Sequence, residues 1–212
     1  TVEIPDHVES GRAYLSKGMV RKAQALAKKN IMKLQSLVSE QTPLVGIEPS
    51  AILSFRDEYP DLVGNELKAS ALKIAPHCLM FDEFIMREVQ KANITPAQFT
   101  DAKQQVRLHG HCHQKSLSST GPTKDMLSLP VNYSIDEIKS GCCGMAGSFG
   151  YEAEHYDVSM KVGELVLLPE VRKTPAHTII SAPGTSCRHQ IKDGTGRTAM
   201  HPIEVFYDAL NK

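Results

Sequence analysis

A parallel α/β fold is what this sequence predicts. Three observations carry that expectation: short apolar runs alternate with amphipathic helical stretches, Gly and Pro punctuate the joins, and the order of elements occurs twice. Ser16 reads as an N-cap, and Met19, Ala23, Leu26, Ala27, Leu34, Leu37 and Val38 then recur mostly at three- and four-residue steps, as on one face of a long helix. Pro43 punctuates, and Leu44-Val45-Gly46-Ile47 is the short apolar run of a buried parallel strand. After the turn Glu48-Pro49-Ser50, residues 51–58, 65–75 and 80–91 read as helices. Val106-Arg107-Leu108 is a strand that runs into a His-rich turn at 109–113. A helix at 123–127, a strand at 131–133, the loop around Cys142-Cys143, a helix at 156–168, a strand at 178–181 and a helix from Cys187 follow. His201-Pro202 opens the last helix, which reaches Leu210.

The repeat sets the domain organisation. Gly144 leads through a loop, a helix and a strand to Ser186-Cys187 at the start of a helix, and Gly11 leads the same way to Ser50-Ala51. In that register Glu9, Ser10 and Ala51 stand where the second copy has Cys142, Cys143 and Cys187, and the counterpart of Cys112 falls ahead of Thr1. The expectation is two pseudo-repeated parallel βαβ lobes, residues 1–100 and 101–212. The first is truncated at its start and lacks the motif cysteines. A start at Thr1 in a turn-like stretch suggests the C-terminal part of a longer protein.

Bulk composition excludes several classes. With 24 Lys+Arg against 24 Asp+Glu in 212 residues there is no basic footprint for nucleic acid or an anionic surface. No run of eighteen apolar residues and no leader-like segment is present, so neither a transmembrane segment nor secretion is expected. An odd count of five cysteines, four of them on polar or Gly-rich turns, argues against a disulfide framework and for a reducing, cytoplasmic setting.

Those four cysteines carry the functional signal. Cys112 and Cys187 lie where a strand feeds a turn or helix, and Cys142-Cys143 lies beyond another strand. Parallel sheets gather the C-terminal ends of their strands on one edge, so cysteines remote in sequence converge there. Neighbouring cysteines pair with each other only under strain, whereas soft thiolates suit zinc, Cu(I) or iron–sulfur centres. Gly141, Gly144, Gly147 and Gly150 supply a backbone that can approach such a centre and donate N–H bonds to its sulfurs. Burial is the commoner reason for a lone cysteine, and it is the reading for Cys78. It explains less well an adjacent pair in a Gly-rich loop. A cysteine nucleophile paired with histidine remains open, but it leaves four cysteines unexplained.

His109, His111 and His113 alternate, so an extended segment would point all three one way, as metal ligands, proton donors or strand-end caps. His189 near the start of its helix is a candidate ligand or hydrogen-bond donor to one, and His155 and His201 read as scaffolding. The Gly144, Gly147, Gly150 spacing is not a dinucleotide fingerprint. Arg56-Asp57-Glu58 reads as a solvated helix face.

The stretches His111-Cys112-His113-Gln114-Lys115, Gly141-Cys142-Cys143-Gly144-Met145-Ala146-Gly147-Ser148-Phe149-Gly150-Tyr151 and Ala182-Pro183-Gly184-Thr185-Ser186-Cys187-Arg188-His189-Gln190 resemble the cysteine-rich "CCG" domain. That domain is found in heterodisulfide reductase and in the iron–sulfur components of glycolate oxidase and anaerobic glycerol-3-phosphate dehydrogenase. Glu9-Ser10-Gly11-Arg12, residues 46–51 and Arg56-Asp57-Glu58-Tyr59 resemble more particularly the C-terminal module of FAD-linked oxidases of the D-lactate or D-2-hydroxyglutarate dehydrogenase type.

The resemblance implies that Cys112, Cys142, Cys143 and Cys187 hold a [4Fe–4S]-type iron–sulfur cluster, non-cubane in heterodisulfide reductase, or zinc in some members. Gly141, Gly144, Gly147, His111, His113 and His189 would surround it. It also implies FAD and ferredoxin-like domains in a parent chain and electron transfer from a 2-hydroxy acid to a quinone or redox-protein acceptor. Such a protein would be cytoplasmic or peripheral to the inner face of the membrane, and this fragment alone would not turn over substrate. Alternatives are a zinc-binding docking module or a thiol–disulfide redox site. The chain departs from the pattern in two ways: the closing Cys-x-x-Cys reads Cys187-Arg188-His189-Gln190, and the first copy has none of the motif cysteines, so at most one centre can form.

Overall fold

A computed structural model describes residues 1–211. The chain divides into two compact units, Thr1–Met80 and Phe81–Lys212, each α/β with its own parallel sheet. The helix that starts at Phe81 therefore belongs with the second unit.

The first unit holds α1 (Arg12–Ser16), α2 (Val20–Leu34), β1 (Leu44–Gly46), α3 (Pro49–Ile52), α4 (Tyr59–Leu62), α5 (Asn65–Ile74) and β2 (Cys78–Met80). Ser16 closes α1 instead of capping a long helix: Gly18 takes φ +68, a left-handed conformation that ends the first turn before α2 begins. α2 then buries Ala23, Ala27, Asn30, Ile31 and Leu34, one stripe at helical spacing. β2 was not expected, because three residues are too few to show a period. It pairs in parallel with β1, Leu44 opposite Cys78. Arg56-Asp57-Glu58 is not a solvated face either. The Arg56 Nε donates to the Cys78 carbonyl at 2.6 Å, and Glu58 pairs with Arg12. Tyr59 donates to the Ser10 carbonyl at 2.8 Å and Asn30 Nδ2 to the Glu9 carbonyl at 3.1 Å, so the two anchor the Glu9-Ser10 segment.

Burial pushes the Tyr59 hydroxyl and the Cys78 thiol each up to about 12, from 10.0 and 9.0. The folded state thus keeps protons that the unfolded state releases, so this stabilisation is complete below about pH 9 and lost as pH rises towards 12. Thermal unfolding followed from pH 8 to 11 should show the decline, less steeply in Cys78→Ala. A flat profile would contradict the assignment.

The second unit holds α6 (Phe81–Gln90), β3 (Gln104–Leu108), α7 (Cys112–Leu117), α8 (Gly121–Leu127), β4 (Tyr133–Glu137), α9 (Tyr156–Glu164), α10 (Leu167–Lys173), β5 (Ile179–Ser181), α11 (Thr185–Thr195) and α12 (Pro202–Asp208). The sheet order is β4-β3-β5, all parallel. One face packs Ile180 with Leu167, Leu168, Val171 and Ile191 from α10 and α11. The other packs Val106 and Ile179 with Ile85, Met126, Leu127, Val205 and Phe206 from α6, α8 and α12. Helices thus cover both faces, the arrangement that parallel strands require.

Three boundaries differ from expectation. β4 begins where residues 131–133 were expected to end, because its Tyr133, Ile135 and Glu137 alternate with the more exposed Ser134 and Asp136, a half-buried edge pattern. The 156–168 helix breaks after Glu164: Pro169 has no N–H, and its ring would clash one turn back, so it sits in the first turn of α10 instead. The turn at 109–113 becomes helical from Cys112.

A buried polar knot fixes α7. Asp82 accepts from Thr123, from Gln114 Nε2 at 3.1 Å and from the Glu83 amide at 2.9 Å, and burial raises its carboxyl pKa. Asp82→Ala would strand the Gln114 and Thr123 donors, and chemical denaturation should show a loss of about 1–3 kcal/mol. No loss would mean that the knot does not hold α7. Among the described residues no helix is long and apolar enough to cross a membrane.

Candidate metal centre

The sheet register builds the site. Leu108 at the end of β3 lies opposite Glu137 at the end of β4 and Ser181 at the end of β5, so three strands finish level. The chain leaving β3 carries His109, His111 and, at the start of α7, Cys112; the loop after β4 carries Ser140 to Gly144; and the chain leaving β5 carries Gly184 and, in the first turn of α11, Cys187. Parallel pairing therefore delivers four cysteines to a single sheet edge.

Their side chains touch in series: Cys112 with Cys142, Cys142 with Cys143, and Cys143 with Cys187. None is in a disulfide. Cys187 and Cys143 are buried in the apolar core beside Ile138, Met145 and Ile191, Cys142 is half-buried, and Cys112 is exposed. The set thus runs from dry interior to solvent. Cys142 Sγ accepts the Gly144 amide at 3.3 Å, and the nearby Ala146 amide also favours its ionised form. Left-handed φ values of +103 at Gly144, +41 at Ala146 and +71 at Gly147 curl this loop around that sulfur.

Thiols packed this closely cannot all ionise. Hydrogen bonds from Cys112 and Cys143 favour ionisation of Cys142, and the Cys143 thiol and His109 do the same for Cys187. Cys112 and Cys143, as the donors to Cys142, are pushed up. Ionisation of one thiol is thus supported by the protons that its neighbours keep. A soft cation would replace those protons and relieve the mutual repulsion, which is how thiolate sites couple metal binding to proton release.

The histidines separate. His109 is buried, its Nδ1 is 2.7 Å from Ser140 Oγ, and a donor atom of its ring lies within 4.8 Å of Cys143 and Cys187 Sγ. His111 is buried and caps α7: its Nδ1 accepts the His113 amide at 3.2 Å, and the two rings stack at 5.7 Å. His111, Cys112 and His113 form a second group with donor atoms within 4.8 Å of one another. His189 belongs to neither group. It is exposed and bonded through Nδ1 to the Tyr151 hydroxyl at 2.7 Å. Gln190, where the resemblance would place a fifth thiolate, donates instead to the Ser159 carbonyl at 3.0 Å.

Sequence reasoning passed over four residues that shape the site. Gly184 lies against His111 and Cys187: a Cβ there would fall 2.3 Å from His111 Cδ2 and 3.2 Å from Cys187 Sγ. Lys115 Nζ donates to the Ser140 and Gly141 carbonyls at 2.7 and 3.2 Å, and Arg188 Nη1 donates to the Ala182 and Pro183 carbonyls at 2.9 and 2.8 Å. Ser140 orients His109. Gly184 stood in a quoted motif without a stated reason, and its reason is steric. At Gly141, by contrast, an added Cβ would meet open space.

The donor chemistry fits a thiophilic centre: four thiols interacting in series, two of them in an apolar core, with imidazoles beside both ends. Comparison with known proteins finds similarity to parts of larger dehydrogenases. No family model matches the chain. It is 28% identical over 202 residues to D-2-hydroxyglutarate dehydrogenase of Pseudomonas putida and 27% identical over 202 residues to that of Pantoea ananatis, matching 95% of this chain but 18% and 19% of theirs. It is 24% identical over 201 residues to one component of the anaerobic glycerol-3-phosphate dehydrogenase of Escherichia coli, matching 94% of this chain and 49% of that component. The chain thus spans under a fifth of the length of the two hydroxyglutarate dehydrogenases and about half of the glycerol-3-phosphate dehydrogenase component.

Proposed function

We propose that this chain is the iron–sulfur module of a larger FAD-linked oxidoreductase acting on a 2-hydroxy acid. Cys112, Cys142, Cys143 and Cys187 would hold a cluster of the [4Fe–4S] type. The observation that carries the reading is the continuous thiol series on one sheet edge, with no disulfide. The names of the relatives support the oxidoreductase setting. When bound, such a cluster supplies one-electron transfer between the flavin and an acceptor.

The chain's own residues set the conditions for that role. Cys143 and Cys187 bury one side of the centre in apolar packing, the Gly144 amide donates to Cys142, and exposed Cys112 marks the side open to a partner. Burial and amide donors are the levers that tune a cluster's potential. FAD and ferredoxin-like domains, a quinone or redox-protein acceptor, and a cytoplasmic or membrane-peripheral location complete the proposal.

Anaerobic reconstitution with iron and sulfide should give a brown protein with about four irons per chain. A colourless product with all cysteines reduced would contradict it. Zinc docking is the second reading, favoured by the structural use of Gln190 where a further thiolate would otherwise stand. Zinc without visible absorbance would select it.

A further inference from the structure

We infer that His109 is a nitrogen ligand of the centre, binding through Nε2 beside Cys143 and Cys187. Three observations converge. The ring is 1% exposed, and its donor atom lies within 4.8 Å of both buried sulfurs, making the innermost group of potential ligands. Its Nδ1 is engaged by Ser140 Oγ at 2.7 Å, and Ser140 in turn contacts the Ile138 carbonyl at 3.4 Å. With Nδ1 so held, Nε2 is the nitrogen left to serve the sulfurs. A second-nitrogen hydrogen bond of this kind is what fixes ring and tautomer in metal-bound histidines.

The strand geometry adds a reason for rigidity. The His109 amide donates to the Ser181 carbonyl at 2.8 Å, so its backbone still belongs to the sheet and the imidazole is delivered by a fixed element. His189 gives the contrast: it is exposed, bonded to Tyr151, and outside both ligand groups. The centre would then be a mixed thiolate–imidazole site, with its nitrogen on the buried side.

The inference rests on the reading that these thiols hold a metal, but its test does not need iron–sulfur assembly. Co(II) alone is titrated into the reduced chain, and the d–d and thiolate-to-metal bands are recorded for the wild type, His109→Ala, His109→Cys and His189→Ala. His109→Ala should weaken binding by more than about tenfold, since losing even an outer partner costs that much. Its d–d bands should also shift. His109→Cys should restore tight binding with added thiolate-to-metal intensity, and His189→Ala should match the wild type. Should His109→Ala fail to fold, electron spin-echo spectroscopy of the wild-type cobalt form reads ligation directly. Modulation by an imidazole nitrogen, altered by 15N-histidine labelling and persisting in a His111→Ala, His113→Ala variant, supports the assignment. Unchanged affinity and bands in His109→Ala, or no imidazole modulation, overturns it. Failure of iron uptake with success here would sink the cluster and leave His109 as a ligand of another metal.

Discussion

Gly184→Ala is expected to empty the centre while leaving the chain folded. Gly184 sits at φ −79, ψ 132, an extended conformation open to alanine, so the substitution carries no backbone strain. Its effect is steric. The new Cβ would lie 2.3 Å from His111 Cδ2, 3.1 Å from His111 Nε2 and 3.2 Å from Cys187 Sγ. His111 caps α7, and Cys187 is in the core of α11, so both must shift to make room. Overpacking of this kind costs about 1–3 kcal/mol, which a domain of this size can absorb. The ligand geometry tolerates far less, because sites need placement within about 0.5 Å. Metal per chain after anaerobic reconstitution should fall to below about a tenth, by analogy with lost ligand-orienting contacts. Far-ultraviolet circular dichroism should be unchanged. Full metal uptake would show that the loop has slack and that Gly184 does not shape the centre.

Gly144→Ala should be worse, and for the fold itself. Here the backbone is at φ +103, and the added carbon would sit 2.1 Å from the Ser159 carbonyl oxygen and 2.9 Å from Gln190 Nε2. The first of these neighbours is backbone of α9 and cannot swing aside. Strain and overlap together place the expected loss above about 4 kcal/mol, the exceptional range for one substitution. Thermal unfolding should report a second unit that is barely folded or absent. Neighbouring glycines calibrate the result. Gly147 has φ +71 and is exposed, so Gly147→Ala should cost about 1–2 kcal/mol, the ordinary left-handed penalty. A Cβ at Gly141 would meet no atom within 4 Å, and its φ is not positive, so Gly141→Ala should stay within about ±0.5 kcal/mol. Equal losses at all three would mean that a general need for flexibility governs the loop rather than close approach to α9.

This ordering shows what the sequence could and could not disclose. The helical stripe of α2 and the apolar runs at β1, β3 and β5 were legible because each carries its own period or its own turn signals. From β3, β5 and a strand ahead of the Cys142-Cys143 loop, the gathering of Cys112, Cys142, Cys143 and Cys187 on one sheet edge followed as topology, since parallel strands end together. β2 and α7 escaped because three and six residues hold less than a readable period. The histidines do not lie as their alternation predicts, for a related reason. Alternation was the available guide, but the chain leaves the strand after His109 and turns helical at Cys112, so equal spacing does not give equal direction. His109 and His189 exchange prominence on tertiary grounds, one tied to Ser140 beside two sulfurs and the other to Tyr151 at the surface. Gly184 belongs to the same class. Its constraint comes from His111, a residue of another loop, and no local pattern records it.

The central claim is that four sulfurs bound one metal-holding space. Anomalous scattering from crystals of the anaerobically loaded chain, collected at the absorption edge of the metal found by elemental analysis, tests it most directly. One anomalous feature bordered by Cys112, Cys142, Cys143 and Cys187 Sγ is the expected result. Metal located away from these atoms, or retained undiminished when all four are replaced by serine, would contradict it.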